Sequence, residues 1–222
     1  KATNPNVTEG ANVRVNPLSS TGEDEFQRRG LDHLSPSRKL LGAHRPGAFA
    51  EYIAVPAQSV LPLPETVSLK LGALTEPVGC AVRISELVGN VKGEDCLVVG
   101  AGPIGLLAMQ VLFLKGAKRI FIADLDAERL AMGKELGGEA INPREVETHE
   151  AVLESTKGRG VPVSVDAVGT ATTRAQCVAA TMPTGTVILE GLHEETGAMP
   201  IGVVIRKELV LRPDSAAQRS GV

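Results

Sequence analysis

Aromatic side chains are nearly missing from this sequence: Phe, Tyr and Trp make up 2% of 222 residues, with no Trp and a single Tyr. Packing therefore falls to aliphatic side chains, and a 43% hydrophobic fraction supplies enough of them for a buried core. No charge sign dominates. The net charge is -3 with acids and bases interspersed, which gives neither a basic stripe for nucleic acid nor a polybasic patch for a membrane surface, so neither partner is expected. Long apolar runs are lacking as well. The longest, "IGLLAMQVLFL" at 104–114, falls short of the roughly 20 residues that span a bilayer, and nothing at the N-terminus resembles a signal peptide. Cysteine is scarce, and Cys80, Cys96 and Cys177 lie far apart in apolar settings. That excludes a disulfide framework and fits small hydrophobes in a reducing compartment; the expected location is cytoplasmic. An initiating methionine is also lacking. The chain opens at Lys1 in a polar, turn-rich stretch and is expected to be part of a longer protein, one domain plus a piece of another.

What is present changes character along the chain. Up to about residue 65, short β-like runs ("NVRV" at 12–15, "AFAEYIAV" at 48–55, "SVLPLP" at 59–64) alternate with Gly, Pro, Ser and Asn, the pattern of an all-β lobe or part of one. Within it, "LSSTGEDEFQRRGLDHLSPSRKLLG" at 18–42 is a long polar loop with almost nothing to offer a core. Next, "SLKLGALTEPVGCAVRISELVG" at 68–89 carries Leu71, Leu74, Val78, Val82 and Leu87 at mostly helical intervals, predicting a helix that links two regions. From 95 to 212, continuous apolar strands ("CLVVG", "RIFIAD", "EAIN", "VSVDAVG", "TVILEG", "ELVLR") alternate with helical stretches. Repeated βα units of this kind predict an α/β fold with a doubly wound parallel sheet and helices on both faces.

Gly100, Gly102 and Gly105 spell GxGxxG immediately after the first of these strands. Gly100 suits a tight turn, Gly102 admits a pyrophosphate to the backbone, and Gly105 lets the following helix pack closely on the strand. Pro103 occupies an early helical position where its missing N–H costs nothing. Asp124 closes the second strand about 20 residues further on, where a carboxylate accepts hydrogen bonds from both adenosine-ribose hydroxyls and repels a 2′-phosphate. The pattern favours NAD over NADP, with Arg129 able to reach the ribose edge and soften that preference. A purely structural glycine turn, with Asp124 capping the next helix, is the competing explanation.

These residues, with "GAFAEYIAVPA" (47–57), "ALTEPVGCAV" (73–82), "VVGAGPIGLLAMQ" (98–110), "ADLDAERL" (123–130), "VDAVG" (165–169) and "ILEGL" (188–192), resemble the zinc-dependent medium-chain dehydrogenases, especially sorbitol, threonine and related polyol dehydrogenases. The resemblance implies a Rossmann domain over 71–222, which includes the linking helix, and part of a GroES-like catalytic domain over 1–70. It places Ile104, Val168, Gly169, Gly191 and Leu192 at the cofactor site beside the glycine turn, and implies a homo-oligomer acting on a small alcohol or polyol. It also accounts for the polar loop. Many relatives hold this lobe with a structural zinc on cysteines spaced C-x2-C-x2-C-x7-C; here the spacing falls on Thr21, Asp24, Gln27 and Ser35. A lobe with no thiolate is expected to be metal-free, held by hydrogen bonds or a partner chain.

The resemblance makes Glu76, in "TEPVG", a ligand of the catalytic zinc and thus a catalytic residue, the other ligands lying upstream of Lys1; catalytic zinc is expected only in the full-length parent. Read locally, Glu76 is a carboxylate in the first turn of a helix, where it favours the positive end. His33 and His149 read as surface residues, His44 and Arg45 as a solvated turn, and His193 as a possible lining of the cofactor site. At the C-terminus, Pro213, Ala216 and Ala217 stand where relatives carry a Gly-x-x-Arg-Tyr closing segment. Three functions compete: an NAD-dependent zinc-type alcohol or polyol dehydrogenase, represented here by a cofactor-binding part; a catalytically silent nucleotide-binding or assembly module; and a zinc-independent quinone-type reductase, which Glu76 and the zinc-like loop disfavour.

Overall fold

The computed structural model describes residues 7–214. Its contacts divide them into two compact units, with the division between Gly79 and Cys80.

The first unit has little regular structure. Strand β1 (Val13–Val15) forms an antiparallel ladder, closed later in the chain by β4 (Val60–Pro62), and β2 (Leu18–Ser19) pairs likewise with β3 (Lys39–Leu40). A single turn of helix, α1 (Glu25–Arg28), and a 3-10 turn at Asp32–Leu34 lie between β2 and β3. Segment 48–55 forms no strand, contrary to its alternation, and Phe49 and Tyr52 stand 111% and 90% exposed. An apolar alternation becomes a strand only where a neighbouring ladder accepts its N–H and C=O groups, and among the described residues no strand pairs with this one.

Region 68–89 holds two helices, not one: α2 (Leu69–Gly72) and α3 (Thr75–Leu87). Pro77 explains the break, because the first turn of a helix is the one place where its missing N–H is harmless, so α3 starts afresh. Of the expected apolar stripe, Leu71, Leu74 and Val78 are exposed. The buried face of α3 is instead Cys80, Ala81 and Ile84, continued by Val88.

In the second unit strands and helices alternate strictly: β5 (Asp95–Val99), α4 (Pro103–Leu114), β6 (Arg119–Ala123), α5 (Ala127–Glu135), β7 (Glu139–Ile141), α6 (Thr148–Ser155), β8 (Val161–Asp166), α7 (Ala171–Ala180), β9 (Thr181–Leu189), α8 (Ile201–Lys207) and β10 (Val210–Pro213). The six strands make one sheet in the order β10-β9-β8-β5-β6-β7, every neighbouring pair parallel. This is the doubly wound α/β sheet, and its order reverses between β5 and β8.

Continuous apolar strands follow from coverage on both faces. Cys96, Val98, Ile120 and Ile122 pack with Ile84, Leu106, Met109 and Leu112 on one side, whereas Leu97, Val99 and Phe121 pack with Val152, Cys177 and Val178 on the other. All three cysteines are buried, and none is in a disulfide among the described residues. Burial pushes the Cys96 thiol up to about 12 and raises that of Cys177 too, so neither is a nucleophile. Helix α8, "IGVVIRK", escapes the sequence pattern because its β-branched residues and glycine read as strand or loop. Its Lys207 reaches back to the carbonyls of Ala179 (2.8 Å) and Thr181 (2.7 Å), satisfying acceptors at the end of α7.

Candidate functional site

Strand β5 ends at Val99, and the chain turns through Gly100, Ala101 and Gly102 into α4. Gly100 has φ +103°, and a Cβ there would lie 2.7 Å from Val168 Cγ2. A Cβ on Gly105 would lie 1.8 Å from the Gly100 carbonyl oxygen, so the helix is pressed against the turn as the spacing predicts. Gly102 differs: nothing lies within 4 Å of where its Cβ would be. It forms the N-cap of α4, no side chain caps that helix, and Pro103 follows directly. The first-turn N–H groups of a helix have no intrahelical acceptor, so this open side presents donors. Ile104 is half-buried and packs against the core on this face of the sheet.

Asp124 follows β6 at once, with its side chain 11% exposed. One carboxylate oxygen, Oδ2, accepts from the Ala101 N–H at 2.7 Å; the other, Oδ1, accepts from the Asp126 N–H at 2.9 Å. The cap of α5 belongs to Asp126, which accepts from the Glu128 and Arg129 N–H groups, so helix capping does not explain Asp124. Arg129 brings Nη1 to 4.0 Å from Asp124 Oδ2 while 58% of its side chain remains exposed.

A second loop leaves β8 on the other side of the sheet reversal. Asp166, the last residue of β8, is 1% exposed, and its Oδ1 accepts from the Val168 and Gly169 N–H groups at 3.0 and 2.9 Å. Burial raises its pKa above the ordinary carboxylate value, against the opposing pull of those two hydrogen bonds. Gly169 (φ +86°) and Gly191 meet backbone to backbone: a Cβ on Gly169 would lie 2.0 Å from the Gly191 oxygen, and one on Gly191 2.1 Å from the Val168 carbonyl carbon. The His193 and Glu194 N–H groups donate to Val168 and Gly169 carbonyls, and Glu194 Oε2 accepts from the Ala171 N–H at 2.7 Å, at the start of α7. Leu192 and His193 are exposed. Sequence reasoning passed over Asp166 and Glu194; an acid ending an apolar strand three residues before a glycine was the available signal for the first.

In the first unit, Glu76 is exposed on the first turn of α3. Among the described residues no three His, Cys, Asp or Glu side chains come together to hold a metal ion. The four positions with structural-zinc spacing carry hydrogen bonds. Asp24 accepts from the Phe26 and Gln27 N–H groups, Gln27 Oε1 accepts from the Asp24 N–H, and the Ser35 hydroxyl donates to Asp24 Oδ2 at 2.5 Å. Gln27 also donates to Ser20, and the Thr21 N–H donates to the Ser37 hydroxyl. The Ser35 hydroxyl, then the Gln27 amide, hold the Asp24 pKa below its ordinary value. His33 is buried, not on the surface: its carbonyl accepts from Arg38 inside this lobe. His149 is half-buried, while His44 is exposed as expected, its ring accepting from the Leu40 N–H. Ala216 and Ala217 lie outside the described residues; Pro213 ends β10.

A doubly wound sheet with a glycine turn, a strand-end acid and a second glycine loop flanking the sheet reversal defines a class of nucleotide-binding folds. Comparison narrows it. Residues 103–218 match the family described as zinc-binding dehydrogenases, and the chain belongs to that family. It is 35% identical over 167 residues to the L-threonine 3-dehydrogenase of Pyrococcus abyssi, covering 75% of this chain and 48% of that protein. The chain thus spans about half the length of the curated relatives it matches. Among solved structures it is similar to an alcohol dehydrogenase of Escherichia coli CFT073 complexed with NADH (28% identity, TM-score 0.86, 96% of this chain and 65% of that one). It is also similar to a structure from Sinorhizobium meliloti 1021, described as a zinc-binding dehydrogenase and bound to NADP (27% identity, TM-score 0.86, 94% and 62%).

Proposed function

We propose that this chain is the cofactor-binding part of an NAD-dependent dehydrogenase that transfers hydride between a secondary alcohol, such as a polyol, and nicotinamide. The observation that carries this reading is the open, uncapped turn at Gly102, with Asp124 beside it and Gly105 pressed against Gly100. The N–H groups at the head of α4, Ile104 and Gly105 among them, would receive the diphosphate. Asp124 would accept the adenosine-ribose hydroxyls, with exposed Arg129 at the same edge, and Val168, Gly169, Gly191 and Leu192 would line the nicotinamide end. A bound nicotinamide supplies the hydride acceptor. The described residues do not fit a catalytic zinc, so Glu76 is assigned only as one ligand contributed to the whole protein's site. The whole protein is proposed to be a cytoplasmic homo-oligomer.

Calorimetric titration of the purified chain with NADH and NADPH tests the proposal: saturable NADH binding, tighter than NADPH, is expected, and no binding of either overturns it. A second reading, a nucleotide-binding module that does no chemistry itself, is favoured by the lack of a metal-ligand group among the described residues. It holds for this chain if NADH binds yet no secondary alcohol is oxidised when zinc is added.

A further inference from the structure

We propose that Asp124 is a positioning residue for the diphosphate turn, fastening Ala101 in place, so that its carboxylate supports both dinucleotides before it discriminates between them. This rests on the cofactor reading above and deepens it. The turn is built largely of glycines, which order at a high entropic cost, and two bonds from the end of β6 hold it: the Gly100 N–H donates to the Ala123 carbonyl at 2.7 Å and the Ala101 N–H donates to Asp124 Oδ2 at 2.7 Å. Ala101 is 1% exposed. Without the carboxylate its amide would be a buried donor with water largely excluded, a loss larger than that of an exposed hydrogen bond. Gly100 and Gly105 already touch, so displacement of Ala101 cannot be absorbed without moving the head of α4, where the diphosphate would bind.

The same carboxylate keeps capacity for a ligand. An ionised Asp offers about four acceptor sites. Ala101 and Asp126 occupy one on each oxygen, and the exposed edge of the group lies beside Arg129. The turn and the ribose therefore draw on one side chain. Deleting the acid is the obvious way to admit a 2′-phosphate beside Arg129; here that deletion would also release the turn that both cofactors need.

The experiment compares the whole chain with Asp124→Ala and Asp124→Asn, by calorimetry with NADH and NADPH and by hydrogen exchange of the Ala101 amide. In the wild type the Ala101 amide is expected to be protected. Asp124→Ala should exchange it faster and weaken both NADH and NADPH by roughly tenfold or more, the scale of a hydrogen bond to a charged group. Asp124→Asn keeps an acceptor for Ala101, so its amide should stay protected while the gap between the two cofactors narrows. The inference is overturned if Asp124→Ala loses NADH alone and binds NADPH as well as or better than wild type. It is overturned equally if the wild-type Ala101 amide exchanges like a free peptide, a result that stands even if Asp124→Ala does not fold. A wild type that binds neither dinucleotide overturns the cofactor reading, and with it the binding claim made here; the exchange rates report separately on the tie.

Discussion

At the scale of single residues, the site rests on main-chain proximity more than on side-chain chemistry. Gly105→Ala places a methyl group 1.8 Å from the Gly100 oxygen. It is expected to cost about 1–3 kcal/mol and to abolish NADH binding, measured by thermal melting and titration. Asp166 makes a pH-dependent contribution. Its raised folded pKa means the native state holds the proton over a range where the unfolded chain has released it. This contribution is therefore fully present below the unfolded pKa and is lost as pH rises through the folded one. Denaturant melts from pH 4 upward should show stability declining in the wild type relative to Asp166→Asn, which cannot ionise. The glycine turn and the place of Asp124 just after β6 were legible because both follow from spacing along one βα unit. Asp166 and Glu194 were not, because what they hold becomes apparent only when the loops after β8 and β9 are side by side.

At the scale of elements, the polar lobe at 18–42 is organised by the hydrogen bonds around Asp24. Ser35→Ala removes a buried hydroxyl that donates to this carboxylate and is expected to cost about 1 kcal/mol, read as weaker exchange protection of the Phe26 and Gln27 amides. Asp24 has a lowered folded pKa, so its contribution is present above the unfolded carboxylate value near 4 and is lost as pH falls through the folded one; protection at those two amides should decline on acidification below about pH 4. Glu194→Ala removes the acceptor for the Ala171 N–H and is expected to fray the start of α7 at a cost of about 1 kcal/mol, seen as faster exchange there. Most elements of the second unit could be read from the sequence because a buried parallel strand has an unmistakable apolar run. Segment 48–55 could not, since its alternation lacks a pairing strand, and α8 could not, since only its closing Arg206 and Lys207 signal a helix end.

At the scale of the whole molecule, the family and the doubly wound sheet were legible, while for the metal chemistry that the family is described by no cluster of three His, Cys, Asp or Glu side chains assembles among the described residues. Chelator or added zinc is accordingly expected to leave the melting temperature of this chain unchanged, a direct calorimetric check. Phe49 and Tyr52 are two large hydrophobic side chains almost fully exposed among the described residues. Replacing both with Ser should reduce self-association in light scattering. The meeting of Gly169 with Gly191 has a genetic consequence. Each position excludes a side chain because of the other's main chain, which no substitution can trim away. A saturation library across both codons should return the parental pair alone, and no second-site exchange within the pair can rescue a lesion in either.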